Sequence, residues 1–162
     1  MAIHLEKIEF PLPHEPADTE ALRAMLGSLH FRHLDVGSCN ACDNELIALG
    51  GPHYDMQRLG IDCVASPRHA DVLMLTGPVS RNGLVAFYET YTCTPLPRLV
   101  IAVGNCACTG GVFAGSYAVF DGARDVVSVA ISIPGCPPAP DEILAALTAG
   151  LRAYAALQKT TS

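Results

Sequence analysis

Charged residues are scarce in this sequence of 162 residues. Asp, Glu, Lys and Arg make up 16% of it, whereas about a quarter is usual in soluble domains. Half of the residues are hydrophobic, and the mean hydropathy is +0.31. A surface with so little charge indicates that a partner covers part of it. The formal net charge is −6 and the basic residues form no run, so no nucleic-acid partner is expected.

Long apolar stretches and export signals are also lacking. No apolar run reaches the roughly 18 residues that a membrane-spanning helix needs. The first residues show neither a charged-then-apolar export pattern nor a twin arginine. We therefore expect a cytoplasmic, reducing location, where the seven cysteines are metal ligands or free thiols more often than disulfides.

The amino-terminal part differs from the rest of the chain. Residues 1–17 contain three prolines and show no sustained period, which indicates an extended arm that is ordered against a partner. Asp18 or Thr19 is a candidate cap for a helix that runs to about Leu29. We therefore assign residues 1–30 to an N-terminal arm and helix.

Residues 31–162 are predicted to form one α/β domain, because strand-like and helix-like runs alternate there. Strands are predicted at 31–36, 62–65, 72–76, 99–103 and 127–133, and helices at 44–49, 84–91 and 141–157. Continuously apolar strands such as VVSVAISI are typical of a parallel sheet that is covered on both faces. The predicted fold is a single doubly wound parallel sheet.

Four cysteines follow strand-like runs, in loops that contain glycine. They are Cys39 and Cys42 in GSCNACDNEL, Cys106 in GNCACTGG and Cys136 in IPGCPPAP. If the strands are parallel and adjacent, these loops emerge at one edge of the sheet, where open α/β folds build their sites. Four thiolates at that edge could hold either zinc or an iron–sulfur cluster.

The loops favour iron–sulfur over zinc. A lone CxxC is typical of a redox pair or of half a zinc site, and a helix start should favour its thiolates. A zinc ribbon normally pairs two CxxC knuckles, whereas this chain has one. The prolines beside Cys136 remove backbone donors and stiffen its loop, which suits a buried cluster with few N–H···S bonds.

The motifs resemble those of a known family. The runs GSCNACDNELIALGGPHYDMQRLGI, SPRHADVLMLTGPVSR, GNCACTGGVFAG and IPGCPPAPDEIL are similar to the small subunit of group 4 membrane-associated nickel–iron hydrogenases, formate hydrogenlyase type. The cluster-bearing subunit of respiratory complex I is in the same family. The resemblance covers about residues 32–157 and implies a flavodoxin-like fold. It also implies one 4Fe–4S cluster at the C-terminal strand edge, ligated by Cys39, Cys42, Cys106 and Cys136.

The spacing of the first motif separates two branches of that family. Complex I subunits usually carry adjacent cysteines where this chain has CNAC, the hydrogenase-like spacing. The resemblance therefore implies an oxidoreductase subunit that relays electrons between the nickel–iron site of a large subunit and a ferredoxin-like polyferredoxin subunit. The alternative is a complex I-like subunit of an NADH or ferredoxin:quinone oxidoreductase, which passes electrons to quinone. A zinc-stabilised binding module without a redox role is a third hypothesis.

The resemblance also implies a place in a larger assembly. The sequence ends soon after Leu157 without a further cluster domain, so we expect one cluster in this chain. Membrane-arm subunits would be indirect partners. They and the other partner subunits would place the chain peripherally on the inner face of the cell membrane.

Glu45 is a candidate functional residue, since it follows Cys42 by three positions in the family's CxxCxxE pattern. The resemblance indicates proton transfer or contact with the catalytic partner. An equal alternative is a carboxylate that stabilises the start of a helix.

The other three cysteines are not expected to be ligands. Cys108 follows Cys106 by two positions and could exchange with it, but the family motif places the ligand at Cys106. Cys63 is expected to be a small buried residue within a strand. Cys93 is expected to be structural or unbonded.

Overall fold

Five strands form one sheet in the computed structural model, which describes Leu12 and residues 27–160. The strands are β1 (Leu29–Asp35), β2 (Ile61–Cys63), β3 (Val72–Thr76), β4 (Leu99–Val103) and β5 (Ile131–Ile133). All neighbouring strands are parallel, in the order β2-β1-β3-β4-β5. This order is the flavodoxin-like one, so the predicted fold class is confirmed.

Helices cover both faces of the sheet. They are α1 (Ala41–Ala48), α2 (Leu84–Cys93), α3 (Asn105–Thr109) and α4 (Pro140–Thr160), with short 3₁₀ turns between them. One apolar layer packs α1 and α4 against the sheet, and the layer on the other face includes α2 and α3. As a result, every residue of β3 and β4 is buried. In residues 27–160, no helix has the length and apolarity needed to cross a bilayer.

The register of the strands aligns their carboxyl ends. Asp35 pairs with Thr76, Thr76 with Val103, and Val103 with Ile133. The loops that follow β1, β3, β4 and β5 therefore leave the sheet at one edge. This alignment brings the three cysteine-bearing loops to the same side of the molecule.

The last strand is shorter than predicted. The sequence predicts a strand at 127–133, but β5 begins at Ile131. The preceding residues pair with the amino-terminal arm instead: the Leu12 N–H donates to the Val126 carbonyl at 2.8 Å, and the Ser128 N–H donates to the Leu12 carbonyl at 3.2 Å. At Leu12, the arm therefore lies against this chain itself.

Two further predictions need correction. Leu29 is the first residue of β1, so the predicted helix does not extend to it; residues 18–26, the rest of that helix, lie outside the described part. Cys63 was expected to be buried, but it is exposed. The reason is that β2 lies at the edge of the sheet, with a neighbouring strand on one side only.

Candidate metal centre

The first cysteine loop is shaped by hydrogen bonds at the end of β1. The Asp35 carboxylate accepts two successive backbone N–H groups, from Gly37 at 2.9 Å and from Ser38 at 2.6 Å. The chain then turns directly into α1. Cys39 consequently lies just before the helix, and Cys42 lies in its first turn.

The second and third cysteine loops are joined by a reciprocal pair of hydrogen bonds. The Asn105 N–H donates to the Gly135 carbonyl at 2.7 Å. In return, the Gly135 N–H donates to Asn105 Oδ1 at 2.9 Å. Cys106 follows Asn105 and Cys136 follows Gly135, so these two hydrogen bonds fix the positions of the two cysteines relative to each other.

Gly104 leaves the space in which the loops meet. Its backbone has φ +89° and ψ 156°, a region that is essentially restricted to glycine. A Cβ at this position would lie 2.5 Å from Cys42 Sγ and 3.6 Å from the Gly135 carbonyl oxygen. Any side chain here would therefore displace the Cys42 sulfur.

The four thiols interact electrostatically. Burial first, and then the negative charges of Asp43, Cys106, Cys39 and Cys136, raise the pKa of Cys42 to about 11. Burial also raises the pKa of Cys106, with Cys136 and Cys39 adding to the effect. Removal from water and nearby negative charge thus outweigh any stabilisation of the Cys42 thiolate by the start of the helix. A cationic group bound between the four sulfurs would favour their thiolate forms.

Cys108 faces away from this group. Its thiol donates to the Ala102 carbonyl with an Sγ···O distance of 3.7 Å, and burial is the main cause that raises its pKa. The charges that act on Cys106, in contrast, include Cys136 and Cys39. Of the two cysteines in the CxC, Cys106 is thus the one that joins the group.

The donor set, four cysteine sulfurs, fits an iron–sulfur cluster. All seven cysteines are free thiols. Within Leu12 and residues 27–160, no three His, Cys, Asp or Glu side chains are close enough to hold one metal ion. Each cysteine of a 4Fe–4S cluster binds a different iron, so its sulfurs stand farther apart than those around one zinc. Four cysteine sulfurs near one another are the donor set that such a cluster uses.

Glu45 lies in the second half of α1 and is half-buried. No hydrogen bond or ion pair with any other described residue involves its carboxylate. Its role in proton transfer or partner contact stays a prediction.

A buried polar network beside Cys42 was missed by sequence reasoning. Asp43 accepts hydrogen bonds from Thr76 Oγ1 at 2.8 Å and from the Ser38 hydroxyl. His33 Nε2 lies 2.8 Å from Asp43 Oδ1 and makes a hydrogen bond of 3.0 Å with Thr76 Oγ1. Burial lowers the pKa of His33 more than the charge of Asp43 raises it. The available signal was Thr76, at the end of the otherwise apolar strand VLMLT.

The chain is similar in sequence to subunits of several oxidoreductases. It is 42% identical over 127 residues to the probable membrane-bound hydrogenase subunit mbhJ of Pyrococcus furiosus, a match that covers 78% of this chain and 76% of that protein. It is 39% identical over 119 residues to formate hydrogenlyase subunit 7 of Escherichia coli, covering 74% of this chain and 47% of that protein. It is also 43% identical over 102 residues to an NADH-quinone oxidoreductase subunit of Desulfovibrio desulfuricans, covering 63% of this chain and 55% of that protein.

Solved structures share the fold. A chain of the membrane-bound sulfane sulfur reductase, an archaeal respiratory membrane complex, matches with a TM-score of 0.70 and 27% identity, covering 88% of this chain and 77% of that chain. A chain of an NAD+-reducing NiFe-hydrogenase in the H2-reduced state matches with a TM-score of 0.60 and 16% identity. The latter covers 78% of this chain and 92% of that chain, and it shows the fold alone.

The family is shown by a match over residues 39–150 to the family described as NADH ubiquinone oxidoreductase, 20 Kd subunit. The matched range contains all four of the clustered cysteines, and relatives from both the hydrogenase and the quinone oxidoreductase branches agree with it. The resemblance that the motifs indicated is therefore confirmed: this chain belongs to that family of oxidoreductase subunits, which includes hydrogenase and complex I-like members.

Proposed function

We propose that this chain is the electron-transfer subunit of a nickel–iron hydrogenase complex. It holds one 4Fe–4S cluster through Cys39, Cys42, Cys106 and Cys136. It relays electrons between the nickel–iron site of a large subunit and a ferredoxin-like subunit. The observation that carries the proposal is the meeting of these four thiols at one sheet edge, around the space that Gly104 leaves.

The residues of this chain bind and orient the group rather than break bonds. A bound iron–sulfur cluster would supply one-electron transfer, at a potential set by charge, hydrogen bonds and exposure. The Asn105–Gly135 pair holds two of the ligand loops together. Pro137 and Pro138 follow Cys136 and offer no N–H group, so few donors can reach a sulfur there.

The partner is proposed to be a nickel–iron large subunit. The CNAC spacing supports it, as do the similarities to a hydrogenase subunit and to a formate hydrogenlyase subunit. Val112 and Tyr117, in the segment that follows α3, are 84% and 91% exposed, and large exposed side chains of this kind support a covering partner. Through its partners, the chain would lie peripherally on the inner face of the membrane.

Transfer of electrons to quinone is the second candidate. The identity of 43% to a subunit of an NADH-quinone oxidoreductase is as high as that to the hydrogenase subunits. The same four cysteines would then hold the cluster, and only the partner and the acceptor would differ.

Anaerobic purification of the complex through a tag on this chain separates these candidates. Nickel in a co-purifying large chain, together with iron, sulfide and an EPR signal of a cluster, is the result that the hydrogenase proposal predicts. Iron and sulfide without nickel would favour the quinone candidate. Zinc without sulfide would contradict both candidates.

A further inference from the structure

Asp43 is a buried carboxylate directly beside a proposed cluster ligand. It follows Cys42 in the first turn of α1 and is only 7% exposed. Burying a carboxylate is unfavourable unless hydrogen bonds compensate the loss of water. Ligation through cysteine does not itself require a carboxylate at this position, so its burial calls for another explanation.

Three polar side chains from different parts of the chain surround this carboxylate. Thr76, at the end of β3, donates to Asp43 Oδ1 at 2.8 Å. His33 Nε2, within β1, lies 2.8 Å from the same oxygen and makes a hydrogen bond of 3.0 Å with Thr76 Oγ1. Ser38, in the loop after β1, donates to Oδ2. An ionised carboxylate only accepts hydrogen bonds, and bonds to a charged acceptor are stronger than neutral ones. The surroundings of Asp43 thus match its charged form.

The negative charge of Asp43 already acts on the sulfur of Cys42. Asp43 follows Cys42 directly in the first turn of α1, and its buried carboxylate therefore lies close to that sulfur. A negative charge close to the Cys42 sulfur makes it less favourable to add an electron to a cluster that is bound to this sulfur.

We propose that Asp43 lowers the reduction potential of the cluster, and that His33, Thr76 and Ser38 are positioning residues that hold its carboxylate. This inference rests on the proposed function, since it requires the cluster. Charge near a cluster is one of the recognised determinants of its potential. The negative charge of Asp43 favours the oxidised cluster, which keeps the potential low and the reduced cluster strongly reducing.

The test is an EPR-monitored redox titration of the anaerobically purified complex at one fixed pH. The relevant signal is the one that Cys106→Ser removes. Asp43→Asn keeps the shape of the side chain and removes its charge. We expect the equilibrium between oxidised and reduced cluster to shift on the order of tenfold towards the reduced form, about 59 mV for one electron.

Asp71→Asn is the matched control. It removes one carboxylate at the opposite end of β3, where Asp71 contacts His30, and the potential should stay at the wild-type value. Equal shifts in both variants would overturn the inference, because only total charge would then matter. A wild-type complex whose cluster signal is present, with no shift in Asp43→Asn, would overturn it while leaving the proposed function intact. Absence of a cluster from the wild type would instead contradict the proposed function.

Thr76→Val is a second variant, and we expect it to shift the reduction potential in the opposite direction. It removes one hydrogen-bond donor and keeps the charge of Asp43, so fewer hydrogen bonds compensate that charge. The reduction potential should therefore fall, by less than it rises in Asp43→Asn. A structural disturbance alone would give no such pair of opposite shifts. If Asp43→Asn does not retain its iron, Thr76→Val decides: a potential at or above the wild-type value would overturn the inference.

Discussion

Gly104→Ala places a methyl group where three cysteine loops meet. Its Cβ would lie 2.5 Å from Cys42 Sγ, far inside van der Waals contact. The sulfur is attached directly to its own Cβ, so it can move only by rotation about χ1, which changes the direction in which Cys42 presents its thiolate. We therefore expect the variant to lose the cluster before it loses the fold.

The magnitude follows from two terms. A residue other than glycine in this backbone region costs about 1–3 kcal/mol, and forcing an extra methyl into a packed site costs about 1–3 kcal/mol more. The sum, about 2–6 kcal/mol, is a large part of the roughly 5–15 kcal/mol that stabilises a typical domain.

Gly115→Ala separates the backbone cost from the steric cost. Gly115 also has a positive φ, +76°, but a Cβ there would meet nothing within 4 Å. The control therefore carries only the backbone cost. Iron and sulfide per copy, measured in the anaerobically purified complex, should be near wild type in Gly115→Ala and strongly reduced in Gly104→Ala. Equal iron in the two variants would show that the loops do not meet at Cys42 as described.

Three further predictions concern the same loops. Cys106→Ser should lose the cluster and abolish hydrogenase turnover, whereas Cys108→Ser should keep the cluster and the activity. Iron analysis together with a hydrogen assay measures both. Loss of iron in Cys108→Ser but not in Cys106→Ser would make Cys108 the ligand instead. Asn105→Ala removes the acceptor of the Gly135 N–H, an exposed hydrogen bond that contributes about 0.5–1.5 kcal/mol, and should speed iron loss to a chelator. Asn105→Asp, which retains an acceptor oxygen, should lose iron more slowly than Asn105→Ala. In the metal-free chain, folding favours the protonated Cys42 thiol because its pKa is raised from 9.0 to about 11. Thermal stability should therefore fall as pH rises through this range, and a rise would contradict the pKa direction.

Much of the fold could be predicted from apolar runs. The bounds of β3 and β4 agree with prediction, since VLMLT and LVIAV are uninterrupted apolar or β-branched runs that helices cover on both faces. The start of β5 could not be predicted in the same way. An apolar run shows that residues 127–133 are suited to pairing, but not that the first of them pair with Leu12 instead of β4.

Of the candidate site, only the cysteines could be predicted from the sequence. Cysteine with glycine after a strand is a local signal, and it placed Cys39, Cys42, Cys106 and Cys136 at one edge. The hydrogen bond from Thr76 to Asp43 joins residues 33 positions apart and depends on strand register. The raised pKa of Cys42 likewise depends on burial by loops distant in sequence, which no local pattern contains.

Native mass spectrometry of the anaerobically purified complex tests the central claim most directly. Released from its partners under mild activation, this chain should carry the additional mass of about four irons and four sulfides. The Cys106→Ser variant should lack part or all of that mass. A chain released with a single zinc ion, or with the bare polypeptide mass from a fully active complex, would contradict the account.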